Sequence, residues 1–155
     1  MVAADLIQQL QLQSHPEGGF FCRIYQSDQL TSVNYAQSPR HFTTAIHYLL
    51  QGEQFSCWHK IQSDELWFLS THNSHVVIHE IVNDEIHTIQ LTPTSPFYTV
   101  KAGRWFAAEL LSKSDECFAL CHCVVTPGFD FEDFRIATKD DLAKVKTPSS
   151  RLLKQ

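Results

Sequence analysis

Residues 55–82 read FSCWHKIQSDELWFLSTHNSHVVIHEIV and contain three short runs rich in aromatic and β-branched residues. The runs are FSCWHKI (55–61), ELWFLS (65–70) and HVVIHEI (75–81), and polar turn residues separate them. This composition and spacing are typical of consecutive β-strands, and no helical segment intervenes. The stretch therefore predicts an antiparallel all-β fold and argues against a parallel α/β fold.

The same pattern extends along the chain in both directions from this stretch. Further predicted strands are FFCRIY (20–25), TTAIHYLL (43–50), IHTIQL (86–91), FYTV (97–100), RWFAAELL (104–111) and FALCHCVV (118–125). Asn83-Asp84 lies between two of the runs and predicts a hairpin. Many short strands with turns between them favour an antiparallel sandwich or a double-sheet jelly roll, and we expect at least eight strands.

Helices are predicted only near the two ends of the chain. Residues 3–12 carry apolar residues at helical spacing. Thr138 and Asp141 resemble an N-capping arrangement for a second helix over 138–145. Because no internal boundary or repeat is visible, we expect one domain over residues 1–146 and a loose tail over 147–155.

Charge and cysteine usage restrict the partners and the compartment. The formal net charge is −5 and the basic residues are scattered, so no basic stripe is available for nucleic acid. No apolar run approaches the roughly 20 residues that cross a bilayer. The five cysteines form no CxxC pair, and the start MVAADLIQQL does not resemble a signal peptide. We therefore expect a cytoplasmic protein with reduced thiols and with neither nucleic-acid nor membrane partners.

His59 is the leading candidate for chemistry because of its neighbours. In extended strands, His59 and Ile61 share one face, and Glu65 and Trp67 share a face of the next strand. A tight turn at 62–64 predicts that the two strands pair as a hairpin, which would bring these faces into one cavity inside the barrel. Glu65 would then orient His59, and the imidazole would take a proton as a general base. The alternative is that the pair only satisfies buried polar groups.

The same residues carry a resemblance to a known family. The spacing of His59 and Glu65 resembles the first cupin motif, but Ile61 stands where a second histidine is usual, and Phe106 stands where the second motif has its histidine. Flanking segments resemble the RmlC-like cupin group, in particular the cupin-5 subfamily, over roughly residues 6–145; they are His15–Phe20, Ser63–Trp67, Gly103–Ala108 and Thr126–Phe134. The resemblance implies a double-stranded β-helix, or jelly-roll barrel, and a homodimer.

The departures from the family motif decide the expectation about metal. Cupin metals are held by three or four side chains, and catalytic zinc and non-haem iron sites need about three protein ligands. Only His59 and Glu65 remain here, so we predict no metal and no other cofactor. The alternative is that His47, from an adjacent strand, supplies a further ligand.

The function hypothesis is a metal-independent cupin that binds a small polar ligand of sugar or nucleotide-sugar type and acts as an isomerase or epimerase. Alternatives are a non-catalytic binding or sensor cupin with the same pocket, and a metal-dependent cupin enzyme with atypical ligands. Aromatic side chains would stack on the ligand, and charged side chains would lie at the pocket mouth. The candidate ligand-binding residues are His47, Trp67, Trp105, Phe106, Arg23 and Glu17. Three phenylalanines within 129–134 predict a hydrophobic plug across the barrel end.

Overall fold

The structure is a computed structural model that describes residues 2–146 and 150–154. Its described part contains one α-helix, α1 (Ala3–Gln9), and thirteen β-strands. The strands are β1 (Gln13–Ser14), β2 (Phe20–Gln26), β3 (Leu30–Thr31), β4 (Arg40–His41), β5 (Thr44–Gln51), β6 (Phe55–Lys60), β7 (Asp64–His72), β8 (Val76–Val82), β9 (Glu85–Leu91), β10 (Phe97–Val100), β11 (Phe106–Leu110), β12 (Phe118–Thr126) and β13 (Arg135–Ile136). Short 3-10 helices span Phe131–Asp133 and Ser150–Leu152.

Eleven of these strands form two antiparallel sheets. The six-stranded sheet has the order β1-β2-β5-β12-β7-β10, and the five-stranded sheet has the order β13-β6-β11-β8-β9. All nine strand segments expected from the sequence are strands, with ends displaced by one or two residues. The predicted all-β jelly-roll architecture is therefore confirmed.

The main core lies between the two sheets and draws apolar side chains from both. Tyr48, Trp67 and Cys121 come from the six-stranded sheet, whereas Ile78 and Phe106 come from the five-stranded sheet, and all five are at most 1% exposed. Each buried side chain of this size contributes about 1.5–3 kcal/mol through removal of apolar surface from water. Burial of these side chains between the sheets keeps the two sheets together.

The outer faces of the sheets are covered by the two ends of the chain. Leu6 of α1 packs in one cluster with Leu49 of β5 and Leu120 of β12. On the other sheet, Trp58 is covered by a cluster that includes Leu152 from the last turn of the chain. As a result, the strands next to these segments are buried on both faces.

The predicted hairpin at 62–64 is wrong. Strand β6 pairs with β11 and β13, whereas β7 pairs with β10 and β12. The turn therefore carries the chain from one sheet to the other, because a short polar turn has the same composition whether it joins paired strands or crosses a sandwich. The Asn83-Asp84 turn does close the β8–β9 hairpin, and its φ angles of 52° and 60° suit a type I′ turn.

The second predicted helix, over 138–145, is instead a series of turns. Thr138 and Asp141 do make the expected capping contacts, since the Thr138 N–H donates to Asp141 Oδ2 at 2.8 Å. However, the hydrogen bonds that follow join residues three apart, such as Leu142 N to Lys139 O and Val145 N to Leu142 O. Such bonds close tight turns, and here they place Leu142 and Val145 in the cluster around Trp58.

Residues 150–154 pack against the barrel, whereas the sequence predicts a loose segment over 147–155. Leu152 is fully buried. Both terminal nitrogens of Arg151 donate to the Glu109 carboxylate, at 2.5 and 2.6 Å. Residues 150–154 therefore belong to the folded unit, while 147–149 and 155 lie outside the described residues.

Candidate functional site

A cavity of about 40 Å³ lies inside the barrel. Its lining comes from the β1–β2 loop, from both sheets and from the segment after β12: His15, Glu17, Phe21, Arg23, Thr44, Ile46, His59, Ile61, Glu65, Cys123, Val125, Phe129, Phe131 and Phe134. One water needs roughly 10–15 Å³ of such space, so the cavity has room for about three waters. It can enclose a ligand, or part of a ligand, of only a few heavy atoms.

His59, at the end of β6, is held by both ring nitrogens. Its Nδ1–H donates to the Cys57 carbonyl oxygen at 2.6 Å, and its Nε2 lies 3.1 Å from Oε2 of Glu17. The ring is 1% exposed and packs at 4.1 Å between centroids on Phe106. Burial lowers the pKa of His59 to about 4, against the Cys57 hydrogen bond. At pH 7 the imidazole is therefore neutral, with its Nε2 lone pair directed at Glu17.

Glu17 reaches the cavity because the glycine turn after it brings the backbone close to β6. A Cβ at Gly18, where φ is 109°, would lie 2.1 Å from the carbonyl oxygen of Phe55, so only glycine fits. The Cys57 N–H donates to the Glu17 carbonyl oxygen at 2.8 Å and fixes the loop. Burial raises the pKa of Glu17, opposed by His15 and by hydrogen bonds from Ser56 and Tyr48. Nε2 of His59 and the Glu17 carboxyl group lie at hydrogen-bonding distance, so a proton on either group can be shared with the other.

Glu65, on β7 of the opposite sheet, is the second carboxyl group of the cavity. It is 8% exposed, and burial, followed by the charge of Glu17, raises its pKa to about 8. Hydrogen bonds from Cys123 and from Trp67 act in the opposite direction. Within the described part of the chain, Nε1 of Trp67 has no partner at hydrogen-bonding geometry, and its effect on the pKa of Glu65 is smaller than that of Cys123. Glu65 is thus a neutral acid at pH 7.

His15 is a further imidazole in the same cavity. Its Nδ1 accepts a hydrogen bond from the Glu17 N–H at 3.2 Å, and its ring contacts Phe21 edge-on at 4.5 Å. Burial lowers the pKa of His15, partly offset by the charge of Glu17. The ring therefore orients the glutamate loop and also lines the cavity.

The phenylalanine segment, defined as residues 128–134, forms one wall of the cavity where we expected a plug. Its position is fixed by Arg40, which is 2% exposed. Arg40 donates from Nε and Nη2 to the two carboxylate oxygens of Asp133, at 2.8 and 2.9 Å, and from Nη2 to Glu132 at 3.2 Å. A bidentate pair of this kind is among the stronger hydrogen-bonded contacts.

The structure brings together four of the eight residues proposed from the sequence and separates the other four. His59, Glu65, Glu17 and Arg23 line the cavity. The other four lie elsewhere: Trp67 in the main core, Phe106 behind His59, Trp105 under the amine of Lys60 at 4.5 Å, and His47 against His122, with 2.9 Å between their Nδ1 atoms.

The partner of His59 also differs from the prediction, because Glu17 and not Glu65 contacts the imidazole. The cross-over turn at 62–64 places Glu65 in the other sheet, and the glycine turn brings Glu17 into the space instead. The signal for Glu17 was its position before two glycines in His15–Gly19, a turn that has to return the chain to the barrel. His15 lies in the same turn but was not among the site residues proposed from the sequence.

The residues around His59 do not fit a metal ion. Both of its ring nitrogens already have partners, and Ile61 and Phe106 occupy the places where the family pattern has histidines. Across residues 2–146 and 150–154, no group of three or more His, Cys, Asp and Glu side chains is arranged to hold a metal. We therefore derive no chemistry through a metal.

Two antiparallel sheets closed around a small acid-lined cavity define a jelly-roll barrel protein of the cupin class. The sequence profile described as Cupin superfamily (DUF985) matches residues 4–137, and the chain belongs to this family. No curated protein matches the sequence.

Solved structures with the same fold match most or all of the chain. A hypothetical protein from Leishmania major is 24% identical, with a TM-score of 0.86 and full coverage of both chains. A protein from Shewanella oneidensis is 26% identical, with a TM-score of 0.78, covering 96% of this chain and 99% of its own. An oxalate decarboxylase from Bacillus subtilis is 8% identical, with a TM-score of 0.53, covering 77% of this chain and 28% of its own, and this likeness concerns the fold alone. In the described part, no helix is long and apolar enough to cross a membrane.

Proposed function

We propose that this cupin binds a small polar ligand in the cavity lined by Glu17, His59 and Glu65, without a metal ion, and that the His59–Glu17 pair exchanges a proton with it. The observation that carries the proposal is the 3.1 Å contact between Nε2 of His59 and the Glu17 carboxyl group inside the cavity. Buried ionisable groups with perturbed pKa values, gathered in one cavity, are typical of functional sites.

The proton chemistry follows from the tautomer of His59. Because Nδ1–H is held by the Cys57 carbonyl, Nε2 is the basic atom and faces the cavity. A ligand that displaces Glu17 from Nε2 would present its own proton to this base. Glu65, protonated at pH 7, lines the same cavity from the other sheet and can return a proton to the ligand. Such a base and acid on separate walls would suit an isomerase or epimerase.

The size of the cavity limits the ligands expected from the sequence. Because the cavity volume is only about 40 Å³, a sugar or nucleotide-sugar could place only a fragment inside. The rest would have to lie outside, beside Arg23, which is exposed at the cavity wall.

A non-catalytic binding or sensor protein is the second candidate, and one observation favours it. A general base works best with a pKa near the working pH, whereas burial lowers the pKa of His59 to about 4. A base this weak suits hydrogen bonding to a ligand better than abstraction of a proton from carbon.

Ligand capture from cell extract tests the proposal. The protein and its His59→Gln variant, with the exposed His87→Gln as matched control, are incubated with extract and repurified, and released small molecules are measured by mass spectrometry. We expect a compound retained by the parent and the control but lost in His59→Gln. Equal retention by all three proteins would overturn the proposal. Incubating the retained compound in D2O then separates the two candidates, because only an enzyme would incorporate deuterium at carbon.

We also propose that the protein is a cytoplasmic homodimer. The six-stranded sheet exposes Phe68 and Phe97, whose rings stack at 5.7 Å, with exposed fractions of 37% and 55%. Tyr25 and Ile24 of β2 are similarly exposed, and clusters of large apolar side chains are characteristic of protein interfaces. The five cysteines are unpaired, which supports a reducing compartment.

A further inference from the structure

Glu17 and Glu65 differ from the other buried carboxyl groups of the protein. Four glutamates are buried in the described residues: Glu17, Glu65, Glu80 and Glu109. Glu80 and Glu109 each bind an arginine side chain, at distances of 3.0 and 2.5 Å. Within the described residues, the only ion-pair partners of Glu17 are His15 and His59, and Glu65 has no cationic group within 4.0 Å. Two buried acids without a lysine or arginine partner therefore face one cavity.

The wall of the cavity next to these acids is aromatic. Phe129, Phe131 and Phe134, the phenylalanine box, pack edge-to-face against one another with centroid distances of 4.9–6.0 Å and interplanar angles of 63–86°. Phe21 lines the same cavity from β2. The faces of aromatic rings carry partial negative charge and attract organic cations, and boxes of such rings bind ammonium groups in many proteins.

We propose that the cavity binds a small organic cation, a primary or methylated ammonium compound whose charge lies between Glu17 and Glu65 and whose carbon atoms contact the phenylalanine box. This inference rests on the proposed function, since it assumes that the cavity is the ligand site. The small volume admits an ammonium group with a short carbon chain. Arg23 lies at the cavity wall with Nη1 bonded to Gln26 Oε1 at 2.7 Å, so the ammonium end points away from it and towards the two acids.

Binding of a cation should be linked to loss of a proton from Glu65. The pKa of Glu65 is about 8, and the groups that line the cavity with it include Glu17, His15, His59, Arg23 and Cys123. An ammonium group stabilises the ionised carboxylate, and the displaced proton goes to solvent. The ionised fraction of a group with this pKa rises about tenfold between pH 7 and pH 9, so affinity should rise by about the same factor.

Calorimetric titration with three size-matched probes tests the inference: ethylammonium, ethanol and acetate. Because so small a ligand is limited in binding energy, we expect a Kd for ethylammonium on the order of 1 mM. Affinity should increase about tenfold from pH 7 to pH 9, with proton release detected in two buffers of different ionisation enthalpy. Ethanol and acetate should bind at least about tenfold more weakly.

Two variants with matched controls localise the binding. Glu65→Gln should weaken ethylammonium binding at least about tenfold at pH 9 and abolish its pH dependence, whereas the exposed Glu116→Gln should not. Phe131→Leu should weaken binding several-fold, and Phe97→Leu should leave it unchanged; these phenylalanines are comparably exposed, at 53% and 55%. If Glu65→Gln does not fold, proton release by the parent protein still decides the question.

The outcomes separate this inference from the proposed function. Ethylammonium binding that Glu65→Gln does not change, or that releases no proton at pH 7, where Glu65 is mostly protonated, would overturn the organic-cation assignment. Preferential binding of ethanol or acetate, lost in His59→Gln, would also overturn it but would support the ligand site. Loss of the extract-derived compound in His59→Gln, without any ethylammonium binding, would likewise overturn the organic-cation assignment and support the ligand site.

Discussion

Replacement of Glu65 by glutamine should stabilise the protein at alkaline pH and leave it unchanged at acid pH. Glutamine has nearly the shape of a protonated glutamate but cannot ionise. Below pH 4.5, Glu65 holds its proton in both the folded and the unfolded state, and ionisation contributes nothing to stability. Between pH 4.5 and about 8 only the folded state holds the proton. The unfolded state is therefore increasingly favoured as pH rises, and the loss levels off above pH 8.

The structure sets an upper limit on this effect. The interval from 4.5 to about 8 is roughly 3.5 pH units, and each unit corresponds to about 1.36 kcal/mol. The limit is therefore on the order of 5 kcal/mol. Because Glu17 shares the cavity and titrates together with Glu65, we expect a measured gain in unfolding free energy of about 2–5 kcal/mol at pH 9.

Urea unfolding followed by tryptophan fluorescence measures this gain at pH 4.5, 7 and 9. Parent, Glu65→Gln and the exposed Glu116→Gln should be compared at one protein concentration, because self-association changes apparent stability. The expected result is equal stability at pH 4.5 and a growing advantage of Glu65→Gln towards pH 9. A variant that is less stable than the parent at pH 9, or a difference that does not depend on pH, would refute the reasoning.

Four further predictions concern the phenylalanine segment, the glycine turn, metal content and assembly. Arg40→Gln should lower the unfolding free energy by about 3 kcal/mol, because the buried carboxylate of Asp133 loses its partner, and an unchanged urea midpoint would contradict this. Gly18→Ala should cost at least about 2 kcal/mol, whereas Gly103→Ala, with open space around its Cβ, should cost about 1 kcal/mol in the same assay; equal costs would exclude a specific clash. Elemental analysis should find less than about 0.1 equivalents of transition metal, and stoichiometric metal that is lost in His59→Ala would disprove this. Light scattering at micromolar concentration should give twice the chain mass of 17.8 kDa, and a monomer mass would rule out the homodimer.

The fold was predictable because strand composition and turn chemistry are local properties. The β8–β9 hairpin followed from Asn83-Asp84 alone, since these residue types tolerate positive φ. The placement of β6 and β7 in different sheets was not predictable in this way, because the turn at 62–64 has the same polar composition in a hairpin and in a cross-over. The cross-over forms because β6 pairs with the distant strand β11, whereas β7 pairs with the distant strand β12 of the other sheet.

The candidate site was predictable only in part, for a related reason. Face parity predicts that His59 and Glu65 point into the barrel, since period-2 alternation holds for each strand separately, and both side chains are buried in the structure. The contact between His59 and Glu17 joins residues 42 positions apart, and only the closure of the barrel decides it. Trp105 was assigned by residue type, and type alone does not distinguish a ring that meets a ligand from one covered by Lys60.

Because of the cross-over between β6 and β7, the distance between His59 and Glu65 depends on the spacing between the two sheets. His59 and Glu65 are only six positions apart in sequence, yet each belongs to a different sheet and moves with it. A change in the distance between the sheets changes the distance between the imidazole and the carboxyl group, while the hydrogen bonds within each sheet stay intact. A substitution in the core between the two sheets, for instance at Ile78, can therefore change the distance between His59 and Glu65 without replacing any residue of the site.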